Sequence, residues 1–515
     1  MSFFYLLAAV LIPTINGFLA SAWFLKNDAE SPLIERIALG FGLGLGFLTF
    51  EIFVLGGLEV EFSISVITLI QAVIFCSLLL NYWITGGLTL EFLFGKRRAG
   101  TEGKGALIVN PFTGGLTLKS IVVVVILLWL GVKAIIIFDE CLSRPLFSID
   151  AWGHWASGAK FFFYEKGFLL DPTKWNYFGR GYRVELGYPL HFSLIELWAA
   201  LWLGHFHEAY VKIWSAFYLF ALSAIFFTAT AREMGRYRGL IWLFFFASAP
   251  LMLYHGIEGL SDLPLAFYTF SAVVFFWRYL KSRDNRLIAL SGLLLGMAIC
   301  TKFEASFFVA ALLLAFFVNM ILTKERRIAG VVIFILPVLL IVGPWVLFKR
   351  SHDLSTTHGV AENRIATIFK KEDQSKKIEA VKESTIVKKE IVVKRPASVK
   401  SSVQKPAIEV SPAPPRVHWE IFDDIFIKYF MSANYNLIFV FWLITGLLCY
   451  KKIWRSDLKY LYLVQITVIS LFVMLYMVVV PEVVTGSTAI YRNVLSYLPL
   501  LYFCSALLLK GEDES

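Results

Sequence analysis

Apolar runs of about 20 residues, the length a helix needs to cross a ~30 Å hydrocarbon layer, recur along this chain. They fall near 3–25, 34–57, 62–84 and 119–138, then near 209–231, 239–255, 262–280, 287–303, 305–322 and 328–348. Three more lie near 435–450, 459–480 and 491–509. After the fourth run the pattern gives way to a polar and aromatic stretch, 139–208, which contains one ambiguous apolar segment, 187–204. Lys and Arg in short connections stay on the cytoplasmic side. The sets Lys96-Arg97-Arg98, Arg232/Arg236/Arg238, Lys281/Arg283/Arg286, Lys324/Arg326/Arg327 and Lys451/Lys452/Arg455 share one side only if 187–204 does not cross. The pattern therefore predicts an all-α polytopic membrane protein of about 13 transmembrane helices, N-terminus outside and C-terminus inside. The loop 139–208 becomes external and carries two interfacial helices.

Four regions follow. Residues 1–118 hold three spans and a cytoplasmic basic loop, and 119–350 form a transmembrane core around the large loop. Residues 351–434 are an external basic insert, and 435–515 hold the last spans. The stretch 351–416 is rich in Lys, Glu, Val, Ser and Pro and ends Ser411-Pro-Ala-Pro-Pro415, a composition unable to bury a core and read as largely disordered. The first run lacks a basic leader and keeps Pro13 and Asn16, which predicts an uncleaved first helix. Gly40, Gly42, Gly44 and Gly46 predict close helix packing.

Composition sharpens this in two places. With 58% hydrophobic and 17% charged residues, the chain is far too apolar for a soluble protein of 515 residues. The net charge of +10 comes largely from residues 350–416, with fourteen Lys/Arg against eight Asp/Glu, which argues against nucleic-acid binding. The five cysteines are too scattered for a disulfide framework or a zinc site. There is no GxGxxG, P-loop, zinc-ligand spacing or nucleophile elbow.

Candidate chemistry gathers in a few places. In Ser148-Ile-Asp-Ala-Trp-Gly-His154, a helix would set Asp150, His154, Ser157 and Phe161 on one face. That is either a site beside the membrane or an interfacial helix with its aromatics at headgroup level. Glu258 precedes Asp262 in His255-Gly-Ile-Glu-Gly-Leu-Ser-Asp-Leu-Pro264, where a paired-carboxylate site competes with simple helix capping by Ser261 and Asp262. Lys302 and Glu304 lie between two spans, either as a site or as a structural pair. Arg492 opens the last span at the outer face, against the positive-inside trend, and its fork suits a phosphate as well as an interfacial anchor. His191 reads more readily as a surface histidine than as a ligand. Arg180 and Arg183 read as loop braces on Glu185.

In order and spacing these segments resemble the GT-C superfamily of integral-membrane glycosyltransferases, which includes protein O-mannosyltransferases and the lipid A aminoarabinose transferase. The resemblance is carried by Asp150-Ala-Trp with Trp155 and Ala159-Lys160, by Tyr188-Pro-Leu190, and by Ser261-Asp-Leu-Pro264. Gly292-Leu-Leu-Leu-Gly-Met-Ala298 leading to Thr301-Lys302, and Arg492 with Leu498-Pro499, complete it. It covers 119–350 well and the last spans loosely; spans 1–3 and the insert have no counterpart. Many members carry a second acidic residue beside the first-loop one, where this chain has Ala151.

The resemblance implies a polyprenyl-phosphate sugar donor and a glycan, lipid or protein acceptor. It implies Asp150 as general base, with His154, Lys160, Tyr188, His191, Glu258, Asp262, Lys302, Glu304 and Arg492 binding substrate. The expected enzyme is multi-pass in a bacterial inner membrane with its site facing the periplasm. It needs no cofactor or divalent metal and has no nucleic-acid partner. The alternative is a transporter or flippase of lipid-linked glycans.

Overall fold

The computed structural model describes residues 2–26, 31–85, 117–168, 170, 186–324, 328–352, 354, 417–481, 484 and 489–510. Lys96–Arg98, Arg326, Arg327, Arg180, Arg183, Glu185 and nearly all of the 351–416 insert lie outside them. Among the described residues the chain is entirely helical. Among the described residues, nine helices are long and apolar enough to cross a bilayer, or up to eleven if each of two bent pairs is one span. This is a multi-pass membrane protein.

The principal helices are α1 (Ser2–Phe24), α2 (Leu33–Gly57), α3 (Ile64–Ile84) and α4 (Leu118–Ser143). A π-helical turn, Ala151–Trp155, leads into α5 (Ala156–Glu165), and α6 spans His191–Leu203. There follow α7 (Trp214–Met234), α8 (Arg236–Ser248), α9 (Pro250–Glu258), α10 (Asp262–Ser282), α11 (Asn285–Ile299), α12 (Ala305–Thr323) and α13 (Ile328–Ser351). The C-terminal part holds α14 (Phe422–Phe430), α15 (Ile438–Leu448), α16 (Leu458–Met474), α17 (Ala489–Leu495) and α18 (Leu498–Leu508).

Four of the expected runs are not single long helices, and three of them have a local cause. The run 239–255 breaks at Ala249, held extended by the following Pro250, and its halves bend by 67°. Positive φ at Asn436 and Leu437 starts α15 late, and the axis turns by 108° there. Pro499 opens α18 and separates it from α17. The run 287–303 gives α11, only 15 residues long.

Close packing follows the glycines. A Cβ at Gly17 or Gly44 would strike the backbone of the partner helix, so α1 and α2 meet with their main chains almost touching. Gly292 sits in the same way against the Phe334 carbonyl of α13. Polar groups pin α1–α3: Asn16 donates to the backbone and side-chain oxygens of Gln71 at 3.0 and 2.8 Å, and Gln71 donates to Glu51 at 2.5 Å. The innermost elements are α10, whose membrane-spanning window is wholly buried, and α6. The segment 187–204, expected to lie along the outer face or to dip in and return, is sheathed by neighbouring helices. His191, Glu196 and Trp198 of α6 are all enclosed, and the Trp198 indole donates to the Ala9 carbonyl of α1. An almost unbroken apolar sequence reads alike for a surface-lying helix and for one sheathed by neighbours.

Candidate functional site

At one end of the bundle, four segments far apart in sequence bring opposite charges together. Asp262 is the first residue of α10, a position where the helix dipole favours a carboxylate. The Ser261 side chain does not cap this helix, so capping does not account for the pair. Buried Asp262 accepts from Lys302 Nζ on Oδ1 at 2.9 Å. On Oδ2 it accepts from Arg492 Nε and Nη2, each at 3.2 Å. The remaining Arg492 nitrogen, Nη1, donates to Asp150. Glu304 stands 3.7 Å from Lys302, so lysine's main partner is Asp262 and not its near neighbour in sequence. His255 Nδ1 is 3.7 Å from the oxygen of Asp262 that faces Arg492.

Local structure explains how each group arrives. Asp150 enters the π-helical turn Ala151–Trp155, which widens the first turn after α4. Such turns recur at functional sites because they re-aim a side chain without ending the helix. The turn also undoes the expected shared face: Asp150 reaches Arg492, while the His154 ring sits edge-on to Trp155 and Tyr188 at 4.3 and 5.0 Å. Ser193 of α6 donates to the Trp155 carbonyl at 2.8 Å and fixes the turn's end. Lys302 occupies the connection between α11 and α12. Arg492 rides on the short α17, whose next residue, Asn493, donates to the Tyr476 hydroxyl at 2.8 Å. Tyr476 belongs to a second π-helical turn, Leu475–Val479. Neither Asn493 nor Tyr476 is evident in the sequence, where an amide beside an arginine carries no chemical pattern.

Electrostatics fit charged groups. Burial works to raise the Asp150 pKa, but Arg492 outweighs it and holds the carboxyl below its usual range. Burial works to lower the Lys302 pKa, but Asp262 and Glu304 carry it above the usual lysine value. Tyr188 is pushed well up by burial and then by Glu304 and Asp262, so its phenol stays a donor beside the cluster. Two carboxylates against two cations make a core of balanced charge with Glu304 at its edge.

The structure thus brings together Asp150, Asp262, Lys302, Glu304 and Arg492, with Tyr188, His154 and His255 beside them. Glu258 is fully buried at the end of α9, within electrostatic range of Lys212 and Arg492, and does not join the ion pairs. Lys160 is directed elsewhere, over the Phe206 ring at 5.8 Å. His191 is corrected from a surface residue to a buried one. Its Nδ1 is 2.7 Å from the Thr49 hydroxyl and its Nε2 is 2.9 Å from the Tyr218 hydroxyl. Among the described residues, no three His, Cys, Asp or Glu side chains gather as metal ligands.

A small apolar pocket of about 30 Å³ lies between Phe50 and Phe53 of α2, Leu190, His191, Leu194, Met297 and Ile341. Cys300 also lines it, two residues before Lys302. No family model matches this chain. No curated protein and no solved structure matches it either.

Proposed function

We propose that this protein is a GT-C-type glycosyltransferase. In this reading it moves a sugar from a polyprenyl-phosphate donor to an acceptor hydroxyl at the extracytoplasmic membrane face. The observation that carries the reading is the convergence of Asp150, Asp262, Lys302 and Arg492 at one end of the bundle. The 13-span arrangement, with both the site and the loop 139–208 outside, belongs to the same proposal.

In the reaction, the acceptor oxygen attacks the anomeric carbon while Asp150 takes the hydroxyl proton. The bond from that carbon to the phosphate oxygen breaks, and its electron pair leaves with the polyprenyl phosphate. Lys302 and Arg492 offset the charge that develops there, each donor contributing roughly 3–4 kcal/mol. One direct displacement inverts the anomeric centre. Without a donor Arg492 is shared between Asp262 and Asp150. An arriving phosphate draws the guanidinium away from Asp150, whose carboxyl then regains its basicity.

The test offers the purified protein a panel of prenyl-phosphate sugars with hydroxyl acceptors. Transfer is expected, and Asp150→Asn should lower it by about 10²–10⁴-fold, the contribution of a general base. Full transfer by Asp150→Asn in a folded protein refutes the assignment of the base. A second reading, a transporter of lipid-linked glycans, is favoured by one feature. The Lys133 ammonium, midway along α4, donates to the Ala247 carbonyl at the α8–α9 break, and charged groups at broken helices mark transport pathways. A transporter moves the lipid-linked glycan across liposomes and forms no glycosidic product.

A further inference from the structure

The helix α14 carries an apolar surface that the proposed reaction does not use. Ile421, Ile425 and Tyr429, one turn apart, form its buried face. Beside that face runs a stripe of Phe422, Phe426 and Phe430; the first two are 45% and 48% exposed, and the rings of Phe426 and Phe430 stack at 4.7 Å. Trp419, in the turn that leads into the helix, is 70% exposed. Exposed Asp423 borders the stripe, and exposed Asp424 points away from it. An isolated stripe of this kind would be costly in water.

What covers it follows from where the helix points. The segment Trp419–Tyr435 meets α15 at 108°, so it lies nearly perpendicular to a helix whose own outer side exposes Ile444, Leu447 and Leu448. If α15 runs across the bilayer, α14 runs along its surface, and the aromatic stripe continues the lipid-facing surface of α15. A Trp and Phe face flanked by charges is the composition of a helix seated at the headgroup–acyl boundary. We infer that α14 is an in-plane anchor whose Trp419, Phe422 and Phe426 insert into the lipid leaflet at the site's end of the bundle.

The anchor is tied to the machinery. Lys428 of α14 donates to the Val484 carbonyl and lies over the Tyr491 ring at 5.8 Å, next to Arg492. His418, just before the anchor, donates its backbone N–H to Met477 at 2.9 Å, beside Tyr476. The leaflet surface is thereby joined through α14 to the helix that presents Arg492. This inference does not depend on the chemistry proposed for the site.

The experiment reconstitutes the full chain into phosphatidylcholine liposomes with a phosphatidylcholine that carries a diazirine near its headgroup. After illumination, adducts are mapped by mass spectrometry. Adducts are expected on Trp419, Phe422 and Phe426 and not on Ile425 or Tyr429. In Phe422→Glu/Phe426→Glu they should be lost from α14 and kept on Leu447 and Leu448 of α15, which shows that the variant is folded and inserted. Adducts on α15 with none on α14 in the unaltered protein overturn the inference.

Discussion

Replacing Asp262 by asparagine is the most informative perturbation of the cluster. The substitution keeps the side chain's size and one carbonyl oxygen but removes the charge that faces two cations. Those cations lie at 2.9 Å (Lys302) and 3.2 Å (Arg492). At such distances and an effective dielectric near 20, each pair is worth roughly 5 kcal/mol before the cost of desolvation. That cost consumes much of the attraction, but it remains when the partner is removed. Breaking a buried pair from one side therefore destabilises by about 3–5 kcal/mol. Arg492 keeps half-exposed Asp150, whereas Lys302 keeps only Glu304 at 3.7 Å, so the loss falls chiefly on the lysine. The assay is thermal unfolding of the detergent-solubilised protein, for Asp262→Asn alone and together with Lys302→Met. The single variant should unfold several degrees lower, and the double variant should recover most of that loss, because it buries no unpaired ammonium. A single variant as stable as the parent, or a double variant worse than the single one, would refute the argument.

Two further outcomes follow. Because Arg492 depresses the Asp150 pKa and Asp262 raises that of Lys302, kcat/KM should stay level from below the usual aspartate range to above the usual lysine range. Its acid limb appears only as Asp150 takes a proton, so a limb near neutral pH in a rate–pH profile would name another base. A cysteine placed at Phe206, in the loop between α6 and α7, should react with a membrane-impermeant maleimide from the extracytoplasmic side. Labelling from the cytosol alone would overturn the proposed orientation.

The charged centre was readable from sequence because the background is so apolar. Asp262, Lys302 and Arg492 each interrupt or open a hydrophobic run, and ionisable groups at such depths need partners. The sequence leaves the pairing open, and it misleads wherever register matters. The α-helical face drawn through Asp150 and His154 is undone by a π-helical turn that no residue pattern announces. Lys160 lies within a matching segment yet faces elsewhere, and His191 turns to Thr49, Tyr218 and the apolar pocket, since neighbouring positions on a helix point in different directions. Hydrophobicity also fails to place breaks. The runs containing Pro250 and Pro499 passed as continuous because a window average does not register a missing backbone donor. Glu196 and Lys212 are both fully enclosed, which a charged residue type does not announce.

The sharing of Arg492 by two carboxylates bears on the far end of a catalytic cycle. A pocket that left its cations bare would grip any phosphate and surrender it slowly, so turnover would stall on spent carrier. In the proposed reaction each cation would have a resident counterion ready to reclaim it, so a departing lipid phosphate would leave no naked charge behind. Under that proposal, weaker retention would be built into the resting arrangement, and the site would reset itself for the next molecule.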